Sequence, residues 1–362
     1  MNPSHVSILR RVLSLPTAPF CEQAVIEYVL AFAAEHRLAF AQDRWGNVLL
    51  RYRRGRAGKA GPWVFAAHMD HPGFVAASQR GRTLWAQFRG GVRKEYFRGA
   101  GAVFFTPSGA VKAKVQATSK IPRSRWLRVR LRVRSGLKVP PGTVGMWDLP
   151  AAGVRGRRVA ARACDDLAGV AAVLAAMAEI RRRGGRADVI ALLTRAEEAG
   201  LVGALAAIEA GTIPRKSKVL AVECSAAQGG AQLGEGAVIR VGDKVRTFEP
   251  SLTALVAAAA GKLAGQRKGL RFARQLMAGG TCESTAYLLW GLPATGLSMP
   301  LGNYHNQGPG RRIAPEMIHL NDYESLVRLL IALAACRSGP ADVDAALKVR
   351  LRAGLRRLRK YF

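Results

Sequence analysis

Apolar positions along the chain follow two rhythms, and the switches between them set the expected architecture. Residues 22–38 carry Val25, Ile26, Val29, Leu30 and Phe32 at overlapping helical positions, which predicts a helix. It leads into DRWGNV, where the Gly46–Asn47 step marks a turn into a strand, and a further apolar run ends at AAHMD. Over residues 74–157 the pattern becomes short alternating or β-branched runs broken by glycine and proline: FVAAS, TLWAQF, AVFFT, VKAKVQA and WLRVRLRV. Such runs predict an inserted β domain, with PPGTVGMWD (140–148) as its closing segment.

From Asp165 onward strand and helix patterns alternate. LAGVAAVLAAMAEIRRR reads as an alanine-rich helix that starts beside an acidic pair, so carboxylates sit near its positive end. VIALLT and VLAVEC read as buried strands, LVGALAAIEAG as a helix stopped by Gly211, and SLTALVAAAAGKLAG as another helix. PATGLSMP predicts a last strand, followed by the loop GNYHNQGP. This rhythm predicts an α/β fold with a doubly wound, mostly parallel central sheet and helices on both faces. The expected division is an α/β domain in two parts, 1–73 and 158–338, that would carry any catalytic site at its strand ends, the β insertion at 74–157, and a basic, helical tail at 339–362.

Composition allows a substantial core, with 49% hydrophobic residues in 362. The formal charge of +32 suits a polyanionic partner or an acidic substrate, but most of the excess is spread along the chain. Basic density peaks at RSRWLRVRLRVRSG (123–136), whose period of two predicts a strand with one solvated face, and at KVRLRAGLRRLRKYF (348–362), whose Val349, Leu351, Leu355 and Leu358 suit an amphipathic helix. Neither carries a nucleic-acid motif, so a solvated charged face is the favoured reading and a nucleic-acid or acidic-protein partner is not. The five cysteines are odd in number and lack a CxxC pair, which argues against a disulfide framework or a cysteine zinc site. No apolar run reaches about 18 residues, so no membrane span is expected, and the reading is a cytoplasmic enzyme.

Candidate chemistry sits where the apolar runs end. AAHMD delivers His68 and Asp70, ARACDD delivers Asp165 and Asp166, VIALLT leads to Glu197–Glu198, and VLAVEC delivers Glu223. Adjacent acids occur by chance, but strand ends are where parallel α/β sheets build their sites. A buried cluster of acids and imidazoles needs positive charge, and divalent cations are the natural source. His5, His36 and His319 lie outside this constellation and read as structural or solvated, His5 in a loose terminus.

In order along the chain, LSLPTAPFCEQAVIEYV, DRWGNV, HMDHPGF, CDDLAG, EEAGLVGA, AVECS, GGTCESTA and the His305 loop resemble the dinuclear metallo-aminopeptidases of the glutamyl aminopeptidase, tetrahedral aminopeptidase and "cellulase M" family. The similarity spans most of residues 10–335. It implies a zinc-peptidase α/β/α sandwich with a PDZ-like insertion, assembly into a homo-oligomer, and removal of N-terminal residues from peptides with a free N-terminus. It also implies two divalent metals, zinc or cobalt. By position, His68 would bind one metal, Asp165 would bridge both, Glu198 and Glu223 would each bind one, and His305 would bind the other. Glu197 would be the general base, and Asp70 would hold the His68 imidazole in its ligating tautomer. Imidazole and carboxylate donors suit such metals independently.

The chain departs from the family pattern at His71, where an acid is usual after HxD, at Leu167 in CDDLAG, at Glu223 in place of aspartate and at Cys282 in place of an acid. His71 is expected to hydrogen-bond near the site. The competing enzymatic reading is a co-catalytic zinc amidase, deacylase or carboxypeptidase with similar ligands. The competing reading from another class is a non-catalytic, basic nucleic-acid-binding protein on the same scaffold.

Overall fold

Among the residues described by the computed structural model, 2–55, 61–134, 136–267 and 269–362, eight strands form the central sheet. Of the Arg-rich run at 123–136, Ser135 lies outside the described residues. The sheet order is Ala39–Gln42, Val48–Arg54, Ala187–Thr194, Trp63–His68, Lys218–Ala226, Ala294–Leu301, Ala237–Gly242 and Phe272–Leu276. The four middle members, from Ala187–Thr194 to Ala294–Leu301, are mutually parallel, and antiparallel pairing joins this group to the strands on either side. Parallel strands buried on both faces need continuous apolar runs, and Trp63–His68 and Ala294–Leu301 are buried at every position.

The helix Leu167–Arg183 lies against this sheet, packed among Pro3–Leu13, Leu320–Ala335 and the strand Trp63–His68. Its alanines let it approach closely, and all of its residues from Leu167 to Met177 are buried. Asp166 caps it by accepting from the Gly169 amide at 3.2 Å, and a Cβ on Gly169 would come within 2.2 Å of that carboxylate. Arg181 to Arg183 fall in the last turn, where cations suit the helix dipole, and Gly184 closes it at φ 65°.

The insertion is a closed six-stranded barrel whose strands run from Gly73 to Trp147. It carries its own core, in which Phe74 packs edge-on against Phe88 and Trp147 at 4.9 and 4.8 Å between ring centres. Leu127–Val133 alternates as its sequence predicts, with Val129, Leu131 and Val133 inside and the intervening arginines in solvent. The hairpin Ala152–Arg155 and Arg158–Ala161 pairs with Glu316–His319 instead of joining the barrel.

Two expectations need correction. His5 is not in a loose terminus: it is buried in the helix Pro3–Leu13, with Nδ1 3.2 Å from the Glu324 carboxylate. Leu9, Val12 and Leu13 continue the same buried face, so the periodic signal was present but short. The strands Ala237–Gly242 and Phe272–Leu276 were also missed, the second because it is only partly buried and mixes Arg and Gln into its run. The five cysteines are unpaired. No helix among the described residues is long and apolar enough to cross a membrane.

Candidate metal centre

Parallel pairing brings the ends of the four middle strands to one edge. His68 ends its strand in register with Thr194, and Glu197–Glu198 follow Thr194 by three and four residues. Ala66 pairs with Ala221, so His68 and Glu223, each two residues further on, project from the same face. Tyr304 and His305 follow the strand Ala294–Leu301. Asp165 lies just before the helix Leu167–Arg183 and is joined to Asp166 by a cis peptide.

The sequence-predicted residues therefore converge. His68 Nε2 lies 3.6 Å from Asp165 Oδ1 and 3.8 Å from Glu223 Oε2. His305 Nε2 lies 3.6 Å from Asp165 Oδ2 and 2.8 Å from Glu198 Oε1. Two neighbouring triads result, His68–Asp165–Glu223 and Asp165–Glu198–His305, each with ligand-type atoms within 4.8 Å of one another. Asp165 belongs to both, with one oxygen turned to each. A third grouping, His68–Glu197–Glu198, meets the same criterion.

Surrounding groups set the donor atoms. His68 Nδ1 faces the Asp70 carbonyl at 3.1 Å and the Asp70 carboxylate at 3.5 Å, which places the proton on Nδ1 and turns Nε2 toward the acids. The Asp70 carboxylate also accepts from the Glu197 and Glu198 amides at 2.9 and 3.1 Å, so it aims both glutamates. His305 Nδ1 donates to the Gly91 carbonyl at 2.7 Å, a contact supplied by the barrel.

Glu316, which sequence reasoning missed, is central to this support. Its carboxylate accepts from the amides of Cys164, Asp165 and His305 at 2.6, 3.0 and 2.8 Å, tying the shared aspartate to the histidine loop. It lies in no acidic doublet and at no apolar strand end, so only the fold reveals it. Glu22, also missed, accepts from the Ala196 amide and pairs with Arg195 at 2.7 Å, bracing the turn before Glu197. His71 hydrogen-bonds as expected: its ring nitrogens face the Asp165 carbonyl and Asn306 Oδ1.

The electrostatics are those of crowded acids. Burial, with neighbouring carboxylates adding to it, raises Glu197 well above the ordinary range and pushes Glu223 up to about 8. Burial opposes protonation of His68, yet Asp165 and Asp70 outweigh it and raise the imidazole well above its usual value. Asp165 moves the other way despite burial, because His305 and His68 both face it. Asp165 Oδ1 and Glu223 Oε1 are buried with no hydrogen-bond partner. Electron-pair donors converging on one space without donors to satisfy them fit divalent cations. A cavity of about 530 Å³ opens over the cluster, with Arg125, Gln228, Arg240, Met277, Cys282 and Tyr304 among its walls.

A mixed α/β sheet with buried imidazoles and carboxylates gathered at its strand ends is the build of a metal-dependent hydrolase. Comparison with known proteins narrows the class. The sequence profile of the M42 glutamyl aminopeptidase family matches residues 132–329, and the chain belongs to that family. It is thus a peptidase. Among solved structures, the TET1 peptidase of Pyrococcus horikoshii superposes with a TM-score of 0.73 at 22% identity, covering 91% of this chain and 99% of its own. An aminopeptidase from the archaeon Desulfurococcus kamchatkensis gives 0.75 at 21%, covering 94% and 97%. An endoglucanase of Thermotoga maritima gives 0.65 at 19%, covering 90% and 96%. No curated protein matches the chain.

Proposed function

We propose that this chain is a two-metal aminopeptidase whose centre is built on Asp165. The observation that carries the reading is the pair of triads sharing that one carboxylate. His68, Asp165 and Glu223 would hold one divalent ion, and Asp165, Glu198 and His305 the other. Such ions, zinc or cobalt for this mixed donor set, would supply Lewis acidity to the scissile carbonyl and the attacking water.

The remaining steps belong to the chain. Glu197, held through its amide by Asp70, takes a proton from the attacking water and returns it to the leaving amine. Asp70 and the Gly91 carbonyl keep the two imidazoles turned with Nε2 toward the acids. The cavity admits a peptide end, and Tyr304, stacked on His305 with ring centres 3.8 Å apart, closes one wall. The retained ligands and base favour catalysis over a scaffold reduced to binding nucleic acid. By analogy with the tetrahedral or octahedral assembly of the Pyrococcus horikoshii peptidase, we further propose a homo-oligomer.

The test is Glu197→Gln, assayed with a panel of unblocked aminoacyl substrates and with N-acetylated peptides. The variant is expected to keep its metal content and lose about 10²–10⁴-fold in kcat. Hydrolysis of N-acyl substrates but not free-amine peptides by the unmodified protein would favour the amidase or deacylase reading instead.

A further inference from the structure

The helix Pro340–Leu358 lies beyond the residues matched by the family profile, which end at 329. Its first turns are anchored. Val343 packs against the main core, and Asp344 accepts a hydrogen bond from Ser251 at 2.6 Å. Beyond that anchor it has no buried residue. Leu347, Leu351, Leu355 and Leu358 are 43, 62, 58 and 50% exposed.

Their spacing aligns them. At 3.6 residues per turn the four leucines fall within an arc of about 80°, continuing the face that Val343 presents to the body. Lys348, Arg350, Arg352, Arg356 and Arg357 share the rest of the circumference with small residues and Val349, which is 64% exposed, and Arg359, Lys360, Tyr361 and Phe362 follow. No acid occurs after Asp344. An apolar stripe flanked by cations, with no acid beyond Asp344, is complementary to a surface that is apolar within and anionic at its face.

We propose that this helix docks the enzyme on an anionic lipid surface, with the leucine stripe in the acyl boundary and the basic residues among the headgroups. Charge selects this occupant over a second copy of the same face, since pairing two would set cation against cation. The leucines select it over single-stranded RNA, which is held by cations and stacked aromatic rings and would leave the stripe in water. Tyr361, 75% exposed, supplies an aromatic side chain suited to the interface.

The experiment is co-sedimentation of the full chain with vesicles of phosphatidylcholine alone and with about one quarter phosphatidylglycerol, at low and high salt. Two variants accompany it, Leu351→Glu/Leu355→Glu/Leu358→Glu and Lys348→Glu/Arg352→Glu/Arg356→Glu, all at exposed positions. Binding to the anionic vesicles, reduced by salt and weakened at least about tenfold in both variants with peptidase activity unchanged, is the expected result. Failure of the unmodified protein to bind, or undiminished binding by the leucine variant, overturns the proposal. So does a change of molecular mass confined to the leucine variant, which would show a second copy on the stripe. Preferential capture of single-stranded RNA that survives the leucine changes overturns it as well. Each overturning outcome is read from binding or mass alone.

Discussion

Glu316 shows how a side chain outside both triads can shape the site. Its two oxygens take three backbone amides, one from His305 and two from Cys164 and Asp165, so a single carboxylate sets the separation of two proposed ligands. Glu316→Gln replaces one acceptor with a donor aimed at those amides. It is expected to weaken metal binding about 10–100-fold, measured by chelator competition, with activity recovered at high metal concentration. Loss of activity that added metal does not restore would assign Glu316 to the chemistry or to folding. His68, Asp165, Glu197, Glu198 and Glu223 were legible because each closes or follows an apolar run. Glu316, Glu22 and Gly91 were not, because their roles are hydrogen bonds to backbone groups of other segments, such as Glu316 to Cys164 and Glu22 to Ala196, or, for Gly91, a backbone carbonyl.

Elements position these residues, and the helix Leu167–Arg183 does so most directly, since its cap immediately follows Asp165. Its other end is tied by Glu179, which accepts from Arg182 and Arg183 at 2.7 Å. Those hydrogen bonds outweigh the opposing effect of burial and lower the Glu179 carboxyl from 4.5 to about 2. A depressed folded value means stability that is present above pH 4.5 and lost as pH falls toward 2. Both arginines are more than half exposed, so the contribution is screened to about 1 kcal/mol. Glu179→Gln should lower unfolding free energy by that amount at pH 7, in urea titrations, with the difference closing below pH 4.5. A constant difference across this window would show that the pair does not act through charge.

At the scale of the whole molecule, the barrel is part of the site: Gly91 holds His305, and Arg125 donates to the Ala199 carbonyl beside Glu198. The proposed homo-oligomer predicts a solution mass several times that of one chain by light scattering, and a monomeric mass would exclude it. The linear pattern by itself determined most strands and helices between residues 22 and 301 and most of the acids at the centre, but not the strands Ala237–Gly242 and Phe272–Leu276. Apolar period and strand-end polarity are local properties, written wherever a face must be buried. Tertiary structure alone decided that Asp165 stands between His68 and His305, that Glu316 ties their supports together, and that the final helix leaves its leucines in solvent. Those facts depend on which strands become neighbours and in what register, and pairing between distant segments leaves no periodic mark on either one.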